Sequence, residues 1–86
     1  MGSFDAQKIE IVRNQMTEVM RSLVDFPDQI IVKAECGEQT VVFHTSCHST
    51  DIGKLIGKKG KMADALRTML ASYSTRMNFR AVMQIG

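Results

Sequence analysis

From Asp51 to Lys61 the chain reads Asp51-Ile52-Gly53-Lys54-Leu55-Ile56-Gly57-Lys58-Lys59-Gly60-Lys61, and here residue types and spacing best fit a chemical task. Gly57 and Gly60 flank two lysines. Lacking Cβ atoms, they let the backbone turn sharply and let a phosphodiester chain come within hydrogen-bonding distance of the main chain. A helix restarting just beyond aims N–H groups and a positive dipole end at that chain, and Lys58, Lys59 and Lys61 add mobile positive charge. This suits the holding of phosphates. A nucleotide P-loop fails on counting: three residues rather than four separate Gly53 from Gly57, and Lys59 follows Lys58 where Ser or Thr is needed.

A second group, Cys36, His44, Cys47 and His48, raises the question of zinc. There is no Cys-x-x-Cys pair, and His44 and Cys47 are an odd number apart, so in a continuing strand they would face opposite ways. Cys47 as a thiol nucleophile would have no evident oxyanion donor or orienting carboxylate. No metal, cofactor or catalytic residue is expected, and Cys36 reads as a small residue at the edge of the core.

The elements that must position the glycine-lysine run follow from periodicity. Ile9, Val12, Met16, Val19 and Leu23 recur at steps of three and four, with Met20 beside them, predicting a helix over Asp5 to Val24 that Pro27 shuts off. From Gln29 to Cys36, Ile30, Val32, Ala34 and Cys36 alternate with Gln29, Lys33 and Glu35, with Ile31 as an exception, which predicts a half-buried strand. Gly37-Glu38 is a tight turn, and Thr40 to Ser46 returns antiparallel. Its Val41-Val42-Phe43 run is apolar on both sides, as an interior strand would be. Ser49 or Thr50 can cap a short helix over Asp51 to Ile56, with Asp51 against its positive dipole end. A longer helix starts near Lys61, with Met62, Leu66, Met69, Leu70 and Tyr73 on its core face. Asn78 to Ile85 alternates as a final strand. The second strand reaches the third through two helices, so those two run parallel. The fold class is α+β: helix-strand-strand-helix-helix-strand, with a three-stranded mixed sheet and helices on one face.

Composition sets the bounds. With 86 residues, 44% hydrophobic and 23% charged, the chain is expected to be one small globular domain over 1–86, its core starting near residue 5. No stretch reaches the roughly 18 uncharged apolar residues of a membrane span, and the start lacks a signal-peptide layout. Two cysteines do not make a disulfide framework, so a cytoplasmic location is expected. Residues 1–50 carry four basic and seven acidic side chains, a net of −3, whereas residues 51–86 carry seven and two, a net of +5. Four of those positive charges fall between Lys54 and Lys61, so a polyanion should dock there.

Ile56-Gly57-Lys58-Lys59-Gly60 between two helices resembles the Ile-Gly-x-x-Gly signature of the KH family of RNA-binding domains. The element order looks like the type II, bacterial arrangement. It is most similar to small bacterial single-KH proteins of the KhpA (YlqC) type, in which a Leu-Val-x-x-Pro segment precedes the first strand, as in Leu23-Val24-Asp25-Phe26-Pro27. Their Asp-x-Gly-Lys-x-Ile-Gly-Lys-x-Gly-Lys run followed by Ala-Leu-Arg is matched by Asp51 to Lys61 and Ala65-Leu66-Arg67, and the similarity covers Lys8 to Ile85. This resemblance implies a non-enzymatic module that clamps about four nucleotides of single-stranded RNA. It places Gly57 and Gly60 at the close approach, Lys58 and Lys59 on phosphates, Gly53, Ile56, Lys54 and Lys61 around them, and Ile52, Leu55 and Ile56 on the floor under the bases. An RNA chaperone or post-transcriptional role, and pairing with itself or another KH protein, come with the resemblance. The alternative is a protein-interaction subunit whose RNA contact is incidental.

Overall fold

The computed structural model describes residues 5–86; residues 1–4, which the single-domain expectation also takes in, lie outside the described residues. Helix α1 spans Ala6–Arg21 and opens on Asp5, whose carboxylate accepts from the N–H groups of Gln7 and Lys8. Ile9, Val12, Met16 and Met20 bury one face. The helix stops three residues short of the expected Val24. Ser22 gives its N–H to the carbonyls of Glu18 and Val19 and its hydroxyl to Val19, a local alternative to continued helix.

A single 3-10 turn, Pro27–Gln29, then delays strand β1 to Ile31–Cys36, so Gln29 is not in the sheet as expected. Strand β2 covers Thr40–Ser46, helix α2 Ile52–Ile56, helix α3 Lys61–Arg76 and strand β3 Arg80–Ile85. The last strand starts two residues later than Asn78 because Asn78 sits at φ 63°, a left-handed turn conformation that asparagine tolerates. The sheet order is β1-β2-β3, with β1 antiparallel and β3 parallel to β2. The Val-Val-Phe strand is therefore central, and the mixed α+β architecture matches the sequence reading.

One face of the sheet supplies Val32, Val41, Phe43 and Met83 to a core completed by Val12, Met16 and Met20 of α1, Leu55 of α2, and Leu66 and Leu70 of α3. Each such side chain contributes about 1.5–3 kcal/mol through burial. The other face carries Ile31, Lys33, Glu35, Val82 and Gln84, all exposed. Cys36 does not sit at the core edge as expected. The inward row Val32, Ala34, Cys36 grades from buried through half-buried to exposed as it nears the hairpin, so the helices cover only the start of β1. Among the described residues no helix is long and apolar enough to cross a membrane.

Candidate nucleic-acid interface

Helix α2 is five residues long and closes with Gly57 N–H on the Gly53 carbonyl at 2.8 Å. Gly57 then takes φ 77°, ψ 175°, a region that only glycine occupies readily. Its Cα faces Met62 so closely that a Cβ would lie 2.7 Å from Met62 Cβ and 2.8 Å from Met62 N. Gly60 N–H returns to the Gly57 carbonyl at 3.1 Å, and Gly60 itself is left-handed at φ 75°. Lys59 shares that region at φ 55°. The four residues thus make a tight reversal from α2 into α3, with a 3-10 turn over Lys58–Gly60.

Lys58, Lys59 and Lys61 are exposed, and among the described residues none of them forms an ion pair. Exposed Ile56 and half-buried Ile52 lie four apart on one margin of α2. Leu55, expected on the floor, is fully buried and packs in the core, so it supports that margin from beneath. Gly53 is exposed at the crest, with nothing within 4 Å of where a Cβ would stand.

Lys54 differs from the other lysines. Its Nζ lies 3.2 Å from Asp25 Oδ2 and 3.5 Å from Asp51 Oδ1. Asp51, expected against the positive dipole end of the short helix, is fully buried and accepts from the N–H groups of Asp25 at 3.2 Å and Phe26 at 3.0 Å. Burial works to raise its pKa, but the two N–H donors and Lys54 prevail and hold the carboxyl below its ordinary value. The hydrogen bond and charge of Asp25 push the Lys54 ammonium up. Neither Ser49 nor Thr50 caps α2. A 3-10 turn, Ser49–Asp51, leads into it instead, capped by His48, whose ring nitrogen accepts from Thr50 N–H. No residue pattern points to Asp25, which lies 26 residues from Asp51; the one local signal available is the Asp51–Lys54 spacing of one helical turn.

The metal-capable residues do not converge. His44 Nε2 pairs with Glu35 at 2.8 Å, His48 stacks on Phe26 with ring centroids 4.2 Å apart, and no group of three or more candidate ligands occurs among the described residues.

A family model described as "KhpA/KhpB, KH domain" matches residues 13–85. The RNA-binding protein KhpA of Oceanobacillus iheyensis is 39% identical over 67 residues, covering 78% of this chain and 89% of that protein. KhpA of Chlamydia pneumoniae is 37% identical over 67 residues, 78% and 86% of the two chains, and KhpA of Clostridium acetobutylicum 34% over 74 residues, 86% and 99%. These relatives are named as RNA-binding proteins, not as enzymes. In fold, 87% of the chain is similar to 29% of a crystallised Aquifex aeolicus Era variant, at a TM-score of 0.59 and 14% identity. With the Gly-Lys-Lys-Gly reversal set between two helices on a three-stranded mixed sheet, the chain belongs to the KhpA/KhpB family of KH domains.

Proposed function

We propose that this chain is a non-catalytic module that binds single-stranded RNA, holding about four nucleotides by their backbone against the Gly57–Gly60 reversal. The observation that carries the reading is the pair Lys58–Lys59, exposed, free of ion pairs among the described residues and presented on a loop whose shape depends on its glycines. Lys61 extends the positive rim, Ile52 and Ile56 meet the bases, and Leu55 holds that margin up. The relatives named as RNA-binding proteins support the same ligand. With no Trp and one Tyr, base stacking contributes little, so affinity is modest and largely electrostatic. Pairing with a second copy or another KH protein would raise the effective concentration of clamps, as an RNA chaperone or post-transcriptional regulator in the cytoplasm requires.

The test is Lys58→Asp combined with Lys59→Asp. Both side chains are solvated, and Asp tolerates the left-handed geometry at 59, so the thermal midpoint should move by no more than about 5 °C. Binding to a single-stranded oligonucleotide, read by fluorescence anisotropy, should vanish. Undiminished binding, or a tight salt-insensitive complex with a protein and no RNA shift, overturns the proposal.

A further inference from the structure

A helix of five residues does not hold its own direction, because so short a segment is unstable in isolation. Something outside α2 must fix its pitch, and with it the Gly57–Gly60 loop that continues from its end. Around the helix axis, at 100° per residue, Ile52 and Ile56 share one margin and Gly53 forms the crest. Lys54 lies about 160° from both isoleucines, on the opposite margin. Contacts agree with this placement: Ile52 Cδ1 stands beside Gly86 at the end of β3, 3.5 Å from where a side chain there would begin, whereas Lys54 reaches Asp25 in the connection from α1 to β1.

On that far margin four interactions converge. Buried Asp51 takes the N–H groups of Asp25 and Phe26 and pairs with Lys54, which also pairs with Asp25. Asp25 and Phe26 lie between α1 and the Pro27–Gln29 turn, where the Phe26 carbonyl accepts from Gln29 N–H at 3.0 Å, so the segment that meets α2 is itself tied to the start of β1.

We infer that Asp51, Lys54 and Asp25 form a brace that sets the pitch of α2, making Asp51 and Lys54 positioning residues for RNA binding rather than contacts to the RNA. The inference rests on the RNA reading above and deepens it: the charge of Lys54 is committed to the fold, and the phosphates meet Lys58, Lys59 and Lys61.

The experiment measures affinity for a fluorescent oligouridine against salt concentration, in the parent chain and in Lys54→Met, Asp51→Asn and Lys58→Met. Lys54→Met keeps the aliphatic stem, and Asp51→Asn keeps the acceptor shape, so at least one variant should retain the parent circular dichroism. Each brace variant should lose about 3- to 30-fold in affinity, the range for residues that act without touching the ligand. Each should also keep the parent's slope of log K against log salt. Lys58→Met should lower that slope by about 0.7, one phosphate contact. The double variant Asp51→Asn with Lys54→Met should fall no further than the weaker-binding single. A slope reduced by about 0.7 in Lys54→Met, or full affinity in both single variants, overturns the brace. A second readout needs no RNA: in amide NMR spectra of the free protein, Asp51→Asn should displace the Gly57 and Gly60 signals, and unmoved signals overturn the inference too. Should the parent itself fail to bind oligouridine, the RNA reading falls while the spectra still decide the brace.

Discussion

Gly57 and Gly60 bracket the same two lysines, yet replacing each with alanine should have very different consequences. At Gly57 two costs add. The backbone at φ 77°, ψ 175° belongs to a region closed to side-chain-bearing residues, worth about 1–3 kcal/mol. The new Cβ would also lie 2.7 Å from Met62 Cβ and 2.8 Å from Met62 N. Neither atom is the free end of a flexible side chain, so α3 or the loop must shift, at about 1–3 kcal/mol. The sum of about 2–6 kcal/mol, less the roughly 0.4–1 kcal/mol that alanine returns by stiffening the unfolded chain, centres on about 3 kcal/mol, a large share of the ~5–15 kcal/mol that stabilises a domain, and lowers the thermal midpoint by about 12–24 °C. Gly60 has φ 75° but open space around it. Alanine there costs about 1–2 kcal/mol for the left-handed backbone, offset in part by about 0.4–1 kcal/mol from a less flexible unfolded chain. The net cost centres on about 0.8 kcal/mol, so its midpoint should fall by about 3–6 °C. Thermal melts followed at 222 nm, with urea titrations alongside, read both variants. Equal midpoints for the two, or Gly57→Ala melting within about 2 °C of the parent, would refute the reasoning.

Three further outcomes follow from charge and burial. If Lys58, Lys59 and Lys61 each meet one phosphate, affinity should fall about 20-fold between ~50 and ~200 mM salt, measured by anisotropy; a loss under about threefold would mean fewer than two contacts. The brace has a definite pH window. The lowered Asp51 contributes stability above its ordinary value of 3.8 that disappears as pH falls through its folded value, and the raised Lys54 contributes stability below 10.5 that disappears as pH rises past it. The difference in thermal midpoint between the parent and Lys54→Met should therefore be flat from about pH 5 to pH 10 and shrink on both sides; a difference that changes most near neutrality would point to another group. The two cysteines should separate in a thiol-labelling time course read by mass spectrometry. Exposed Cys36 should react first and half-buried Cys47 later, because burial, then the Asp51 charge, push the Cys47 thiol up. Faster labelling at Cys47 would contradict the burial of that segment.

The parts of the fold written as periodic burial are legible in the residues themselves. Ile9, Val12, Met16 and Met20 announce α1, and Val41-Val42-Phe43 announces a central strand, because the hydrophobic effect acts on every residue of an element and leaves a repeated mark. Element ends were less legible, since single local bonds decide them. Ser22 bonding back to Val19 ends α1 early, and the left-handed Asn78 delays β3. Neither leaves a periodic trace.

The candidate site divides along the same physical line. Its outer part, two glycines and an excess of lysine, is a matter of composition within eight residues and can be read directly. Its support is a matter of pairing across 26 residues, and one sequence holds no record of which aspartate meets which backbone N–H. By type and position alone Asp51 reads as a first-turn charge facing the helix dipole and Lys54 as one more rim lysine. Burial changes both roles. A carboxylate removed from water must find donors: Asp51 holds the N–H groups of Asp25 and Phe26, and Lys54 pairs with both Asp25 and Asp51. Within this run the lysines without an ion pair among the described residues are those past Gly57, at Lys58, Lys59 and Lys61. If the brace sets the loop, transplanting Gly57 to Gly60 alone into another helical hairpin should carry over the charge without single-stranded RNA binding, read by fluorescence anisotropy.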